Sequence, residues 1–384
     1  MQNKNLDKID IFLSLIALAL LISIFLKAII DMDTNYDVGW YHLPFAARIW
    51  GIIPVDSFAS ESKIEFRYDG FPLLAHFFQG LLWKLTGRIQ AANLVGYLSL
   101  IIYFVFLRFY FKIPLYLSAI ALLTIPAVIT HAPTSFVDLP GNIGVSVLVM
   151  MGYLFLRQTS SPQKKDLFVA FLGAASAANI KPQLQPLVFV LTLAIGVRLI
   201  WLYFKNTIKT NRKLWQTIPI TILALSLIFV TPIKNVAFYG NPFYPIKIEI
   251  VGIVLNHKLV PQTYSQGNRP QKWLRSIFEI NTPQWSADQF NRSGNPKLLG
   301  RGGGFFGAYV AFNLLLLAGL SINEQLSKEK RFSKKTNDAR VALATILSIS
   351  FIPANFPQSH ELRYFMFWMI TLVSLNLFLV SLEP

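Results

Sequence analysis

Apolar blocks of about 20 residues recur along the chain, the length that crosses ~30 Å of hydrocarbon at ~1.5 Å per residue. They fall at 10–30, 91–111, 114–130, 140–157, 167–180, 184–204, 216–238, 303–323, 341–355 and 363–382. Such a pattern leaves little choice of fold. In lipid every backbone N–H and C=O must be satisfied inside the protein, so each block reads as a helix. Only 14% of the 384 residues are charged and 54% are hydrophobic, against roughly 25% charged in soluble domains. The expectation is an all-α polytopic membrane protein with about ten transmembrane helices, read as one membrane domain over 1–384. The first block has no small-residue cleavage site behind it and reads as an uncleaved span.

The net charge of +16 does not call for nucleic acid, because cytoplasmic loops of membrane proteins are enriched in Lys and Arg. Four basic clusters test this. They are Arg108 and Lys112; Arg157, Lys164 and Lys165; Lys205, Lys209, Arg212 and Lys213; and Lys328, Lys330, Arg331, Lys334, Lys335 and Arg340. All four fall on the side of the N-terminus if one further apolar block, 71–86 (FPLLAHFFQGLLWKLT), does not cross. That block is short and carries His76, Gln79 and Lys84, so it reads as an interfacial or re-entrant helix. Both termini are then expected in the cytoplasm. Two long segments lie outside: 31–90, a first loop with amphipathic helices, and 239–302, a long outer loop. Acids predominate over 31–70 (Asp31, Asp33, Asp37, Asp56, Glu61, Glu65 and Asp69), and bases over 239–302 (among them Lys247, Lys258, Arg269, Lys272, Arg275, Arg292, Lys297 and Arg301, against Glu249, Glu279 and Asp288). The absence of cysteine excludes disulfide frameworks, thiolate metal sites and cysteine nucleophiles.

Chemistry-bearing residues cluster at the outer span ends. Asp37, Tyr41 and His42 follow the first span; on a helix, Asp37 and Tyr41 share a face. A carboxylate beside hydrocarbon is a functional candidate by default, set against a solvated loop with an aromatic anchor. Asp138 is the only acid of HAPTSFVDLPGN, where its plainest role is a charge favouring a helix N-terminus. Two carboxylates at one membrane face can also divide labour, one taking a proton and the other orienting the acceptor or helping to hold a metal. Lys181 in NIKPQLQP either snorkels to the interface or holds a phosphate. NVAFYGNPFYP, from Asn235, reads as a rigid turn. His360, Glu361 and Arg363 share a last outer loop; Glu361 and Arg363 either neutralise each other or leave Arg363, a forked donor, for phosphate. Acids on early outer loops with cations on later ones suit a lipid phosphate meeting a nucleophile.

With these residues in view, the sequence resembles the GT-C superfamily of membrane glycosyltransferases, which includes protein O-mannosyltransferases and bacterial aminoarabinose transferases. The resemblance rests on DVGWYHLP at Asp37 to Pro44, on YDGFPLLAHFFQGLLWKLTG as an outer juxtamembrane helix, on TSFVDLP around Asp138, and on GNPFYP and ELRYFMF. It implies inverting transfer of a sugar from a polyprenyl-phosphate donor to a glycan, lipid or protein acceptor, at the periplasmic face of a bacterial inner membrane. It casts Asp37 as general base, or as the group positioning the acceptor, and Asp138 as support for acceptor or donor. Lys181 and Arg363 become phosphate ligands, and Tyr41, His42, His360 and Glu361 substrate-binding neighbours. The family often pairs two acids at the first motif, where this chain has Val38 after Asp37. A metal is therefore left unassigned, with a divalent cation, Mg or Mn, still open and no other cofactor expected. Two other readings stand beside it: a flippase or transporter of lipid-linked sugar, and a polymerase or ligase of surface polysaccharide. A purely structural protein is the third.

Overall fold

The computed structural model describes residues 8–54, 62–206, 212–260, 268–280, 305–330, 337–356 and 358–382. Asp56, Glu61, Lys209, Asp288, Arg292, Lys297, Arg301, Arg331, Lys334 and Lys335 lie outside the described residues, as do 261–267 and 281–302 of the long outer segment. The chain divides into two interleaved compact units, one of residues 1–33, 89–135 and 268–384, the other of residues 34–88 and 136–267.

The first unit holds α1 (Lys8–Ile30), α5 (Leu94–Phe111), α6 (Leu115–Leu123), α7 (Pro126–His131), α13 (Arg269–Ile277), α14 (Phe305–Lys330), α15 (Asp338–Asn355) and α16 (Met366–Leu382). The second holds α2 (Leu43–Ile49), α3 (Ser62–Gly70), α4 (Leu74–Thr86), α8 (Asp138–Arg157), α9 (Lys164–Ala178), α10 (Gln185–Asn206), α11 (Arg212–Ile228), α12 (Val230–Tyr239) and a hairpin of β1 (Glu249–Ile250) and β2 (Ile253–Val254). Among the described residues six helical segments are long and apolar enough to cross a membrane: Lys8–Ile30, Ile89–Phe111, Asp138–Arg157, Pro182–Lys205, Phe305–Leu326 and Leu362–Leu382. A seventh results if Ile218–Ile228 and Val230–Tyr239, bent by 73°, form one span. Their outward faces match: Phe189, Leu193, Val197 and Ile200 form one exposed stripe on α10, at the three-to-four spacing of a helix face. Exposed apolar area on that scale marks a lipid-facing surface rather than a water-facing one. The chain is a helical, multi-pass membrane protein.

The shorter apolar blocks pack against the longer helices of their own unit. α9 has only 15 residues, yet it runs back along α8. A Cβ on Gly144 of α8 would stand 2.5 Å from the Ser176 Oγ and 2.9 Å from the Ala177 N of α9, so the two backbones touch. In the first unit Pro126 breaks the 114–130 block into α6 and α7, because proline has no N–H for the preceding turn. The pair nevertheless climbs back to where α5 began: Ser135 Oγ lies 2.6 Å from the Asn93 Oδ1. Asn93 Nδ2 in turn donates to the Ala28 and Asp31 carbonyls at 3.0 and 3.1 Å, satisfying groups that a helix end leaves orphaned. At the opposite end Tyr116 donates to Asp10 at 2.6 Å. α15 links the end of α14 to the start of α16: the Arg340 N donates to Glu324 at 3.2 Å and Trp368 Nε1 to Ser350 Oγ at 2.8 Å.

The 73° bend also has a local cause. Pro232 cannot donate to the Ile228 carbonyl four residues back. Asn179 Nδ2 takes up that carbonyl at 3.1 Å, and Thr231 Oγ1 donates to Asn179 Oδ1 at 3.1 Å. After α12 the chain turns at Gly240. Asn235 Nδ2 donates to the Gly70 and Tyr244 carbonyls at 2.8 and 3.2 Å, and Asn241 Nδ2 to the Ile246 and Asn256 carbonyls at 2.9 and 2.7 Å. NVAFYGNPFYP is thus a clamped turn, as its Asn, Gly and Pro content predicts.

Candidate functional site

Asp37 opens a π-helical turn, Val38–His42, that leads into α2. Pro44 explains the widening: it offers no N–H to the Trp40 carbonyl, so the ladder shifts and the Leu43 N–H bonds the Val38 carbonyl instead. The turn replaces the regular helix face expected for Asp37 and Tyr41, while Val38 and His42 are buried as its inward side.

Two helices then pack against this turn and α2. α3 is fixed by Arg48, whose Nη1 donates to both Glu65 oxygens at 2.7 and 2.8 Å and whose guanidinium covers the Tyr68 ring at 4.1 Å. Glu65 and Tyr68, three apart, share one helix face. Arg67 is turned towards the other side, its guanidinium 4.3 Å from the Trp40 ring centre and 6.0 Å from that of Tyr41. Burial pushes the Arg67 pKa down, while the neighbouring Tyr41, Asp37 and Tyr36 pull it up. Its Nη1 is buried with no hydrogen-bond partner among the described residues.

α4 is the block 71–86, a 13-residue helix. Its polarity is inverted relative to a soluble helix: Ala75, His76, Gln79 and Gly80 are buried while Phe77, Phe78 and Leu85 are exposed. That distribution suits a helix lying against lipid. Gly80 lets α4 press onto α2, since a Cβ there would stand 2.3 Å from the Ala46 carbonyl oxygen. The close approach brings the His42 Nδ1 to 2.9 Å from the His76 Nε2. A bond between two imidazoles needs one N–H and one lone pair, and burial pushes the His76 imidazole down to about 3, so it is neutral.

Ala75, Val137 and Ile180 pack into one cluster, and the Leu74 N–H donates to the Asn179 carbonyl at 3.0 Å. Their chain neighbours are His76, Asp138 and Lys181, while Phe136 packs edge-on to His42 at 5.9 Å. Three segments far apart in sequence therefore gather in the second unit, bringing His42, Asp138 and Lys181 into one neighbourhood, while Asp37 and Tyr41 lie on the turn that carries His42. Lys181 is hydrogen-bonded to the Asp138 carboxylate, the two side chains being 8% and 1% exposed. It does not snorkel: its ammonium is turned inward onto the acid.

His360, Glu361 and Arg363 belong to the first unit. Glu361 lies 3.6 Å from the His360 Nε2 and 3.9 Å from the Arg363 Nε. The Ser276 Oγ donates to the His360 carbonyl at 3.1 Å, and Arg363 Nη2 to the Tyr364 hydroxyl at 3.0 Å. The neutralisation of Arg363 by Glu361 is thus partly realised. Asp31 and Asp33 hold helix ends: Asp31 pairs with Lys27, and Asp33 accepts the Ser135 N–H at 3.1 Å. The described residues offer no ready-made divalent-cation site, since no three His, Asp or Glu among them gather.

Sequence reasoning passed over Arg67, Trp40 and His76 as site residues. The available signals were a cation in an acid-rich loop, EFRYDG, and a lone histidine inside an apolar block. The fold thus defines a multi-pass helical membrane protein with a polar cluster in its second unit. Compared with protein-family models, curated proteins and solved structures, the chain gives no match.

Proposed function

We propose that the protein is a membrane glycosyltransferase of the GT-C kind, which moves a sugar from a polyprenyl-phosphate donor to a glycan, lipid or protein acceptor with inversion. The observation that carries the reading is the Arg67 guanidinium, seated on Trp40 beside Asp37 with its Nη1 unpartnered among the described residues. A carboxylate and an anion receptor then stand together on and beside the turn that follows the first span in sequence, with aromatic faces suited to a sugar ring.

In the proposed reaction Asp37 takes the proton of the acceptor hydroxyl as that oxygen attacks the anomeric carbon. The bond from that carbon to the phosphate oxygen breaks, and the polyprenyl phosphate leaves with the electron pair. Arg67 meets the growing phosphate charge, a role that favours a planar forked donor. The ammonium of Lys181 is matched by Asp138, so the phosphate role expected of Lys181 passes to Arg67, and the Asp138–Lys181 pair orients the wall of the site. A donor-side role for His360, Glu361 and Arg363 rests on the resemblance alone. The charged groups lie at span ends, where surface chemistry is done, rather than at mid-membrane as a flippase would need.

The topology in this reading has ten crossings. The tie between Ser135 and Asn93, the backbone contact of α8 with α9 and the α14–α15–α16 links support counting the three shorter blocks as crossings. Both termini are then cytoplasmic in a bacterial inner membrane, with 31–90 outside.

The test is transfer from a panel of radiolabelled polyprenyl-phosphate sugars into membranes holding the parent, Asp37→Asn or Arg67→Gln. Parent-dependent labelling is expected, cut about 10²–10⁴-fold by Asp37→Asn and lowered in kcat by Arg67→Gln, which removes the donor to the leaving phosphate. Equal transfer by parent and Asp37→Asn would refute the base assignment.

A further inference from the structure

The hairpin of β1 and β2 has a composition at odds with its position. Its two-residue loop is Val251–Gly252, with φ of 49° and 79°. Positive φ at both positions is the geometry that two-residue hairpins favour, and Asn-Gly or Asp-Gly is the usual sequence there. A β-branched residue at positive φ is a genuine outlier. The chain nevertheless places Val there, and the residue is 97% exposed. Ile253 and Val254 follow at 66% and 45% exposure. The tip is thus an apolar point that neither backbone preference nor water favours.

Its base is fastened to a membrane helix. Asn256 Nδ2 donates to the Tyr239 carbonyl at the end of α12 at 3.1 Å, and the Asn256 carbonyl accepts Asn241 Nδ2 at 2.7 Å. The Lys247 N–H donates to the Leu259 carbonyl at 2.8 Å. Lys247 and Lys258 flank this base, with the Lys258 ammonium 5.5 Å from the Phe66 ring centre. Two cations at the foot of an apolar tip match the order of a lipid surface, phosphate first and acyl chain beyond.

We propose that this hairpin is a lipid anchor, its Val251–Val254 tip inserted into the surface of the membrane the protein spans and Lys247 and Lys258 at the phosphates. Glu249 pairs with Val254 across the ladder and stands two residues from the tip, about 7 Å at ~3.3 Å per residue. That acid limits insertion to interfacial depth. The proposal does not depend on the transferase reading.

The chain has no cysteine, so Val251→Cys can be labelled directly with an environment-sensitive fluorophore and reconstituted in phosphatidylcholine–phosphatidylglycerol nanodiscs. The expected result is a blue-shifted emission that is quenched by acyl-brominated lipid more than by aqueous iodide. A second protein, Ile253→Cys with Val251→Asn, keeps the turn, since Asn accepts positive φ, and is expected to lose part of that lipid quenching. Stronger quenching by iodide overturns the proposal. So does shielding from both quenchers, which would mean that the tip rests against protein.

Discussion

Lys181→Met breaks the most deeply buried ion pair among the described residues. Asp138 is 1% exposed and Lys181 6%, so neither charge has water to fall back on. At 4 Å and an effective dielectric of about 20, the attraction is worth about 4 kcal/mol. Removing one member of a buried pair typically costs about 3–5 kcal/mol, because the other is left uncompensated. Lys181→Met and Asp138→Leu are each expected to lose that much. The double variant, with two apolar side chains of similar size, is expected within about 1–2 kcal/mol of the parent or above it. The assay is a double-mutant cycle on unfolding in mixed micelles, read by circular dichroism and checked by thermal loss of the monodisperse peak. A single variant within about 1 kcal/mol of the parent, or a double variant no better than the worse single, refutes the claim that this pair carries buried charge. The same double variant separates roles: a well-folded but inactive protein would make the pair part of the chemistry rather than only of the wall.

Three further outcomes are expected. His76 is neutral in the fold with a pKa of about 3 against an ordinary 6.5, so the unfolded chain binds more protons between those values. Its contribution is intact above pH 6.5 and is lost on acidification at up to about 1.4 kcal/mol per pH unit. Melting of the parent and of His76→Gln at pH 7, 5.5 and 4.5 should show a shallower acid loss in the variant. Gly144→Val would drive a side chain into Ser176 and the Ala177 backbone and should destabilise by about 1–3 kcal/mol or more, read as a fall in melting temperature. Asn235→Ala removes the donor to the Gly70 and Tyr244 carbonyls, should cost about 1–3 kcal/mol, and should speed limited proteolysis within 239–260.

By itself the sequence determined the solvent of this protein. Blocks of some 20 apolar residues leave the backbone no choice but helix in lipid, and the polar residues inside 71–86 set that block apart from them. It also marked Asp37 and Asp138, since a carboxylate next to hydrocarbon stands out in one dimension. Hydropathy, however, records only whether a residue avoids water, not which surface it meets. Tertiary structure decided the pairings. Lys181 reads as a phosphate ligand until α9 packs backbone to backbone on α8 through Gly144 and carries the ammonium back to Asp138, 43 positions earlier. His42 and His76 meet across 34 positions only because Gly80 lets α4 touch α2. Arg67 was one cation in a loop until Arg48 took Glu65 and Tyr68 on one face of α3 and left Arg67 against Trp40. Which helix faces meet depends on close approach at a few small residues, and no periodicity along the chain encodes it.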